Sequence, residues 1–591
     1  MNAKNAFPKN KARKRNRFGA KKLEKFRVKA KPMTAASVID ERTGERKLLV
    51  RFNHTQGRRR VAVLDEGLIS DPKGLATELR RHGADLPIAE DERKSYVDGL
   101  INAYKRTDKT LAVKPGFKGR TGFVFGPKCL GTAKDTYASL LNFADRQVGY
   151  LGAKKGSAKS WQETVGATSA HSSFGIFAAC AALCAPLSQY VKDRLDMNEG
   201  INNFVSENAT FLFLGESSTG KTNLGRIAMS IMGNKPMADW NTSNRALEEI
   251  AEAHNNLLLI LDDTEKVDLE KTSLKSALQR IAQSIPSGQS RTISGIAQKA
   301  GLPQLFYDTW GLATALDSSD APFEAHGWKP SAGVLVRLIP ISIPAPSEGG
   351  IFDRLPSAKV GKSVQSTNLT NQLDRAIAAN YGAIFPKWIR FLLRKDHSAK
   401  LIQLRDDWAK ECVAVSDGVD VRLARKFAAV YAAGALAAEA KILAWPVSDI
   451  KASVLNCYER ALSYRTKLLP SRKYAREKLL AALRNATKFA KIKNGSATLE
   501  SGMHGVRTKY KGKTVLAVRN NELAKICGSG VKANVINSLY AEGLLIRGTG
   551  SAGTIQLPVR LQIGGEEMEK PRFWIFSHAA LKNFAETSSR K

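Results

Sequence analysis

Eight consecutive residues, Gly215-Glu216-Ser217-Ser218-Thr219-Gly220-Lys221-Thr222, carry the clearest chemistry in this chain. Their spacing is G-x-x-x-x-G-K-[ST], a loop whose glycines let backbone N–H groups close around a phosphate chain. Lys221 then reaches the terminal phosphates, and the Thr222 hydroxyl is placed for Mg²⁺. The nucleotide contacts expected from this stretch are Gly215, Ser217, Ser218, Thr219, Gly220, Lys221, Thr222 and Asn223. Thr210–Leu214 before it is a run of bulky apolar residues, long enough for one buried parallel strand. Leu224–Met232 after it has a helical pattern, so a helix N-terminus points at the anion.

Carboxylates come next. Leu257–Leu261 is five apolar residues ending in Asp262-Asp263, a second buried strand delivering acids to its C-terminal edge, where ligands sit in open α/β sheets. Asp262 is assigned to the Mg²⁺ shell and Asp263 to positioning or activating the attacking water, with Glu265 as the fallback. Thr309–Leu316 reads as a third strand with Asp317 and Ser318 at its tip, candidates for sensing the γ-phosphate. Val334–Ile339 reads as a fourth apolar strand containing Arg337. A buried arginine needs an anion: a nucleotide phosphate, in this subunit or a neighbour, or a structural carboxylate.

Other elements must hold these. Six divisions are expected: a disordered basic arm (1–34), a small α/β domain (35–130), a helical connector (131–202), a P-loop core (203–360), a helical lid (361–450), and a basic helical region with a winged helix (451–591). Leu48–Phe52 and Arg59–Leu64 read as strands, Gly74–His82 and Glu90–Tyr104 as helices, and Phe123–Phe125 as another strand. Trp161–Leu187 reads as one buried, small-residue helix in which His171 is a satisfied histidine. Leu355–Thr370 is polar and reads as a linker. Val421–Lys441 is an alanine-rich helix of the lid type, with Arg422 and Arg425 near its start. At the end, Val531–Glu542 keeps Val535, Ile536 and Leu539 inward and Lys532, Asn534 and Asn537 outward; Gly543–Ile546 and Thr554–Leu557 follow as a hairpin.

Composition narrows the partners. The chain has 591 residues, 43% of them hydrophobic, and a formal charge of +37. Thirteen Lys/Arg against Glu24 in the first 32 residues account for +12, leaving +25 on the remainder. A polyanion, nucleic acid before membrane, is the implied partner. The amino-terminal stretch lacks an apolar segment of the secretory kind, no apolar run matches a membrane span, and the six cysteines form no C-x-x-C pair. A reducing cytoplasm is the expected setting.

Several segments taken together resemble an uncharacterised-domain family of phage and integrative-element proteins, described as superfamily II helicases or their inactivated relatives. The same segments are similar to the self-loading, minichromosome-maintenance-like AAA+ helicases of mobile cassette elements. They are Pro115–Gly119, Trp161 with the helix ending Ala185-Pro186-Leu187, GESSTGKT, Trp240, Asn244, His254-Asn255, LLLILDD, Ser287–Arg291, Val336-Arg337-Leu338, Arg425–Ala428 and the terminal winged-helix pattern. The resemblance implies an α/β, AAA+ type core with a parallel sheet, assembled as a homo-oligomeric, hexameric ring. It makes Arg337 an arginine finger, Arg422 or Arg425 a lid sensor, and Gly288–Arg291 a pore lining in which Arg291 meets DNA. Two departures stand out: Asp263 replaces the family's Glu, and Gly-Gln-Ser-Arg replaces Gly-Gln-Gly-Lys.

The function expected is an ATP- and Mg²⁺-dependent DNA motor, a replicative helicase or helicase loader of a phage or mobile element, acting on single-stranded or forked DNA with replication partners. Alternatives from other classes are a nucleotide-gated DNA-binding switch without translocation and a protein-remodelling AAA+ ATPase. The nucleic-acid contacts expected are Arg291, Lys532, Asn534 and Asn537.

Overall fold

The computed structural model describes residues 34–56, 59–139, 151–195, 204–205, 207–234, 238–239, 243–262, 274–290, 304–316, 330–357, 359–412, 418–468, 472–527, 532–548, 553–563 and 566–588. The basic arm expected over 1–34 therefore lies outside the described residues except for Thr34. The chain divides into two compact units, one ending at Gly152 and one beginning at Ala153.

In the first unit, Thr34–Asp40, Arg46–Asn53 and Arg59–Asp65 form an antiparallel ladder. Thr110–Ala112 and Tyr137–Ser139 extend it in parallel beyond the first strand. Strand alternation sends Leu48, Val50, Phe52, Ala62 and Leu64 to one face, where they pack on Leu75, Leu79, Val97 and Leu100 of helices Pro72–Arg81 and Glu90–Asn102. Asp71 starts the first of these helices by accepting the Gly74 N–H, with Pro72 in the position where a missing N–H costs nothing. The opposite face carries Val38, Leu49 and Leu111. Sequence reasoning ended this domain at 130. The unit runs further because Tyr137–Ser139 is an edge strand of its sheet.

The second unit is built on strand β1 (Thr210–Gly215), helix α1 (Lys221–Met232), β2 (Ala238–Asp239), α2 (Asn244–Ala253), β3 (Leu258–Asp262), α3 (Leu274–Ser287), β4 (Trp310–Leu316), the short α4 (Ala332–Leu335) and β5 (Leu338–Ser342). The five strands are parallel, in the order β2-β3-β4-β1-β5. The strand carrying the phosphate loop is thus separated from the acid-bearing β3 by β4. Both faces are buried, as continuous apolar strands require. Leu212, Leu214, Leu259, Leu261, Ala313 and Ala315 pack on Leu247, Ile250, Leu278, Ile281 and Ile285 of α2 and α3. On the other face Phe211 and Phe213 meet Phe177 at ring-centroid distances of 4.9 and 6.1 Å, and Phe211 meets Phe427 at 5.4 Å. Edge-to-face geometry of this kind adds to the burial itself.

Phe177 belongs to helix Ser173–Cys184, all twelve residues of which are buried. The single helix expected over Trp161–Leu187 is instead three pieces. A turn at 170–172 separates residues 158–169 from Ser173–Cys184, and Leu187–Lys192 follows Pro186. Ser172 is the reason for the break: its hydroxyl accepts the Gly175 N–H, an N-cap inside an apolar run. His171 Nδ1 lies 3.0 Å from the Arg354 carbonyl, so this histidine has a partner. The linker expected over Leu355–Thr370 is largely helix, Lys362–Ala379. Residues Ile384–Arg394, Ser398–Cys412, Gly418–Glu439 and Val447–Leu468 complete a helical layer.

The C-terminal part has helices Arg472–Arg484, Asn520–Cys527 and Lys532–Ala541 around one core with Leu516, Val518, Trp574 and Phe576. The hairpin expected from Gly543–Ile546 and Thr554–Leu557 is not a direct pair. Leu545–Ile546 and Ile555–Gln556 each pair with a later strand, Arg572–Ser577, which also pairs with Lys513–Arg519.

Candidate nucleotide site

The loop between β1 and α1 takes the backbone shape its residues permit. Gly220 has φ +90°, the left-handed region that glycine enters without penalty. Ser218 also has positive φ, +63°, an uncommon conformation for a residue with a side chain and one that concentrates at ligand clamps. Lys221 Nζ lies 2.7 Å from the Gly215 carbonyl and 2.6 Å from that of Glu216, directly above the loop. The Asn223 side chain is buried and accepts from Arg226, which also pairs with Asp374 of Lys362–Ala379.

Asp262 arrives at this loop from β3. Its Oδ1 accepts the Thr222 hydroxyl at 3.1 Å and the Thr314 hydroxyl at 2.7 Å. Parallel register brings this about: Leu261 pairs with Ala313 and Phe213 with Thr314, so the three C-terminal strand edges align. Ser217, Ser218, Gly220, Lys221, Thr222, Thr314, Ala315 and Leu316 line a cavity of about 210 Å³ over that edge. A hydroxyl and a carboxylate adjoining a phosphate-sized cavity are hard oxygen donors, the kind Mg²⁺ takes while keeping waters and phosphate oxygens. The pair Thr222 and Asp262 fits that ion. Thr314 was missed in the sequence, although a threonine inside the apolar run TWGLATAL was a visible signal.

A second segment braces the loop. The Ile351 N–H donates to the Thr219 carbonyl at 2.9 Å, and the Ser172 hydroxyl donates to the Ile351 carbonyl at 2.5 Å. Gly350, with φ +60°, approaches so closely that a Cβ there would lie 2.4 Å from the Thr219 oxygen. Asp353 accepts the Ser173 N–H at 2.7 Å. The buried helix, the segment 349–353 and the phosphate loop are therefore one hydrogen-bonded body.

Arg337 is not inside a strand. It follows α4 and immediately precedes β5, and its side chain is 44% exposed. Arg337 is therefore not the buried strand arginine that its apolar flanks predict. Arg337 Nε lies 2.9 Å from Glu207 Oε2, while Arg422 and Lys426 lie 3.9 and 3.7 Å from Oε1 of the same carboxylate. Lys426 is buried and donates to the Val336 carbonyl at 2.6 Å; burial pushes its pKa down to about 8. This cluster sits at the N-terminal edge of the sheet, since Thr210 pairs with Leu338. The phosphate loop leaves the opposite edge, about 16 Å away along a strand rising some 3.3 Å per residue. The structure thus does not bring Arg422 to its own phosphate loop, correcting its place as a sensor there. Arg425 is exposed on the same helix, one turn from Arg422.

Residues 288–290 pair with 305–307: Ser290 N–H donates to Leu305 O and Tyr307 N–H to Gly288 O, both at 2.9 Å. Backbone hydrogen bonds thus join the residues after α3 to those that lead into β4. Arg291 follows directly but lies outside the described residues, as do Asp263, Glu265, Asp317 and Ser318. Among the terminal residues, Lys532 Nζ donates to Asn520 at 2.9 Å, and Asn537 accepts from Arg547, whose guanidinium also lies over the Tyr540 ring at 4.5 Å. The side chain of Asn534 lies outside the described residues.

Known proteins resemble this chain to different extents. A family described as a domain of unknown function, DUF927, matches residues 11–300, a little under half of the chain. A solved structure described as SCCmec type IV Cch, an active helicase, is similar at a TM-score of 0.56 and 16% identity, covering 94% of this chain and 95% of that one. The chain thus shares its overall fold with a helicase structure. A C-terminal region of NrS-1 matches at a TM-score of 0.26 and 11% identity, covering 72% of this chain and 91% of that one. No curated protein matches. Among the described residues, no helix is long and apolar enough to cross a membrane.

Proposed function

We propose that the chain is an ATP-dependent DNA motor of AAA+ type, a helicase or helicase loader of a mobile element or phage, acting as a ring. The observation carrying this reading is the meeting of Lys221, Thr222, Asp262 and Thr314 at one sheet edge. Backbone N–H groups of residues 217–222 surround the β- and γ-phosphates, and Lys221 moves from its loop carbonyls onto their charge. Thr222 and Asp262 would hold Mg²⁺, which would supply neutralisation of charge at the phosphoryl group. Asp263, next in the chain, holds the attacking water, and Thr314 keeps Asp262 oriented.

Arg337 faces away from its own phosphate loop, the arrangement needed to reach a nucleotide bound by a neighbouring subunit. Arg291, which follows Ser290 in the chain, is the residue proposed to meet DNA in a central pore, and the net charge of +37 suits a phosphate backbone. The C-terminal three-helix core with its returning strand supports a winged helix. Similarity of fold to an active helicase over nearly the whole chain favours unwinding over remodelling of proteins.

Strand displacement on a forked duplex tests it. Wild-type chain with ATP and Mg²⁺ should separate the strands, and Lys221→Ala should not, while keeping its fold by circular dichroism. ATP-dependent binding without displacement would instead support a nucleotide-gated switch.

A further inference from the structure

We infer that the cleft on the face of the N-terminal sheet opposite its helices is a second, nucleotide-independent binding site, and that its ligand is single-stranded DNA. Only the choice of DNA over another polyanion rests on the proposed motor; the site itself lies in a different unit from the phosphate loop.

Val38 and Leu49 form an apolar floor, and between this face and Pro127 and Cys129 lies a cleft of about 460 Å³. Arg51, Lys109 and Lys134 line it, and none of its lining residues is acidic. Lys109 Nζ is held at the cleft by the Lys134 carbonyl, 2.8 Å away. Tyr137 lines the same cleft, half-buried, with the Lys118 ammonium 5.2 Å from its ring centroid. Lys118 is itself paired with Glu41, which stands outside the lining. The helices on the other face carry five acids and five bases and so no net charge, whereas the cleft lining has cations alone.

That combination specifies the ligand. Three cations without a carboxylate suit a phosphate backbone, and an apolar floor beside an aromatic ring suits unstacked bases. Duplex DNA keeps its bases paired inside and offers nothing to such a floor. The basic arm preceding Thr34, with thirteen cations to one acid, has the same sign of charge as the cleft and is no electrostatic match for it. An acidic peptide would satisfy the cations but not the floor and ring.

The test uses the full chain carrying Lys221→Ala, without nucleotide, so that a failed motor leaves its outcome untouched. A 5-iodouracil-substituted oligothymidine is cross-linked and the adduct mapped by peptide mass spectrometry; it should fall on Tyr137. In anisotropy titrations the triple variant Arg51→Gln/Lys109→Gln/Lys134→Gln should flatten the log–log salt slope by about 0.7 for each phosphate no longer neutralised, and so by about 2 for all three. A control triple on the helical layer, Lys73→Gln/Arg81→Gln/Lys94→Gln, should leave the slope in place. Tyr137→Leu should weaken binding about tenfold, a change within the range of one base–aromatic stack, and Tyr137→Phe should not. Adducts mapping only outside the cleft, or equal slopes in the two triples, would overturn the site. Equal competition by polyglutamate, by duplex of the same sequence or by oligouridine would overturn its assignment to single-stranded DNA.

Discussion

Arg337 and Glu207 form an ion pair, Nε to Oε2 at 2.9 Å, on the sheet edge opposite the phosphate loop. Their separation from Lys221 means that any action of Arg337 on phosphate is exerted on another subunit's nucleotide. On that proposal Arg337→Ala should bind ATP normally yet lose turnover in assemblies by on the order of 10³-fold, the scale of an arginine finger. Mixing it with Lys221→Ala protein should restore part of the rate, because each variant keeps the half-site the other lacks. Steady-state ATPase across mixing ratios reads this out, and a linear loss with no rescue would leave Arg337 as a partner of Glu207 alone.

Thr314 is expected to matter without touching phosphate directly. Its hydroxyl bonds the same Asp262 oxygen as Thr222. Thr314→Val preserves shape and should lower turnover about 10- to 100-fold, the usual cost of losing a group that orients a metal-binding residue. Binding of a fluorescent ATP analogue without Mg²⁺ should change little, whereas the Mg²⁺ concentration for half-maximal activity should rise. Thr314→Ser should recover most activity.

Gly350 is predicted to be intolerant although it lies far from Lys221 in sequence. A methyl group there meets the Thr219 oxygen at 2.4 Å, and φ +60° disfavours alanine independently. Gly350→Ala should cost about 1–3 kcal/mol of stability and displace Thr219, weakening ATP binding. Thermal unfolding with and without ATP separates the two effects: the stabilisation that ATP gives should shrink as well as the baseline.

Lys426 gives a pH dependence with a definite sign. Its pKa in the folded chain is about 8, below the ordinary lysine value of 10.5, because burial outweighs Glu207. Below pH 8 both states hold the proton, and the cost of a buried ammonium is present in full. Between pH 8 and 10.5 the unfolded chain holds more protons, so this lysine's contribution to stability rises, by up to about 1.4 kcal/mol per pH unit. Lys426→Met lacks that rise. From pH 7 to 10.5 wild type should therefore gain on the variant by a few kcal/mol, on the order of 2–3, in denaturant titrations; a pH-independent difference would refute the depressed value.

The phosphate loop, its preceding strand and following helix, and the acid-terminated β3 were all legible in the sequence. Each depends on neighbours in the chain: glycine spacing sets the turn, an apolar run sets a doubly buried strand, and Asp262 ends one. Thr314, by contrast, becomes a partner of Asp262 only because β4 inserts between β1 and β3, a pairing across 52 residues. Gly350 acquires its role from a contact with Thr219 that no local pattern encodes. Arg337 looked buried because apolar residues flank it on both sides; the chain in fact leaves α4 and enters β5 at that point, which exposes the side chain to Glu207. The apparent hairpin at the C-terminus misled for a related reason: its two short strands find their backbone partners in Arg572–Ser577, farther along the chain. Periodicity and glycine spacing act over a few residues, and so they identified the glycine-bearing loop between β1 and α1. Which carboxylate, threonine and arginine stand around that loop depends on strand order and layer packing, which form only when distant segments are brought together.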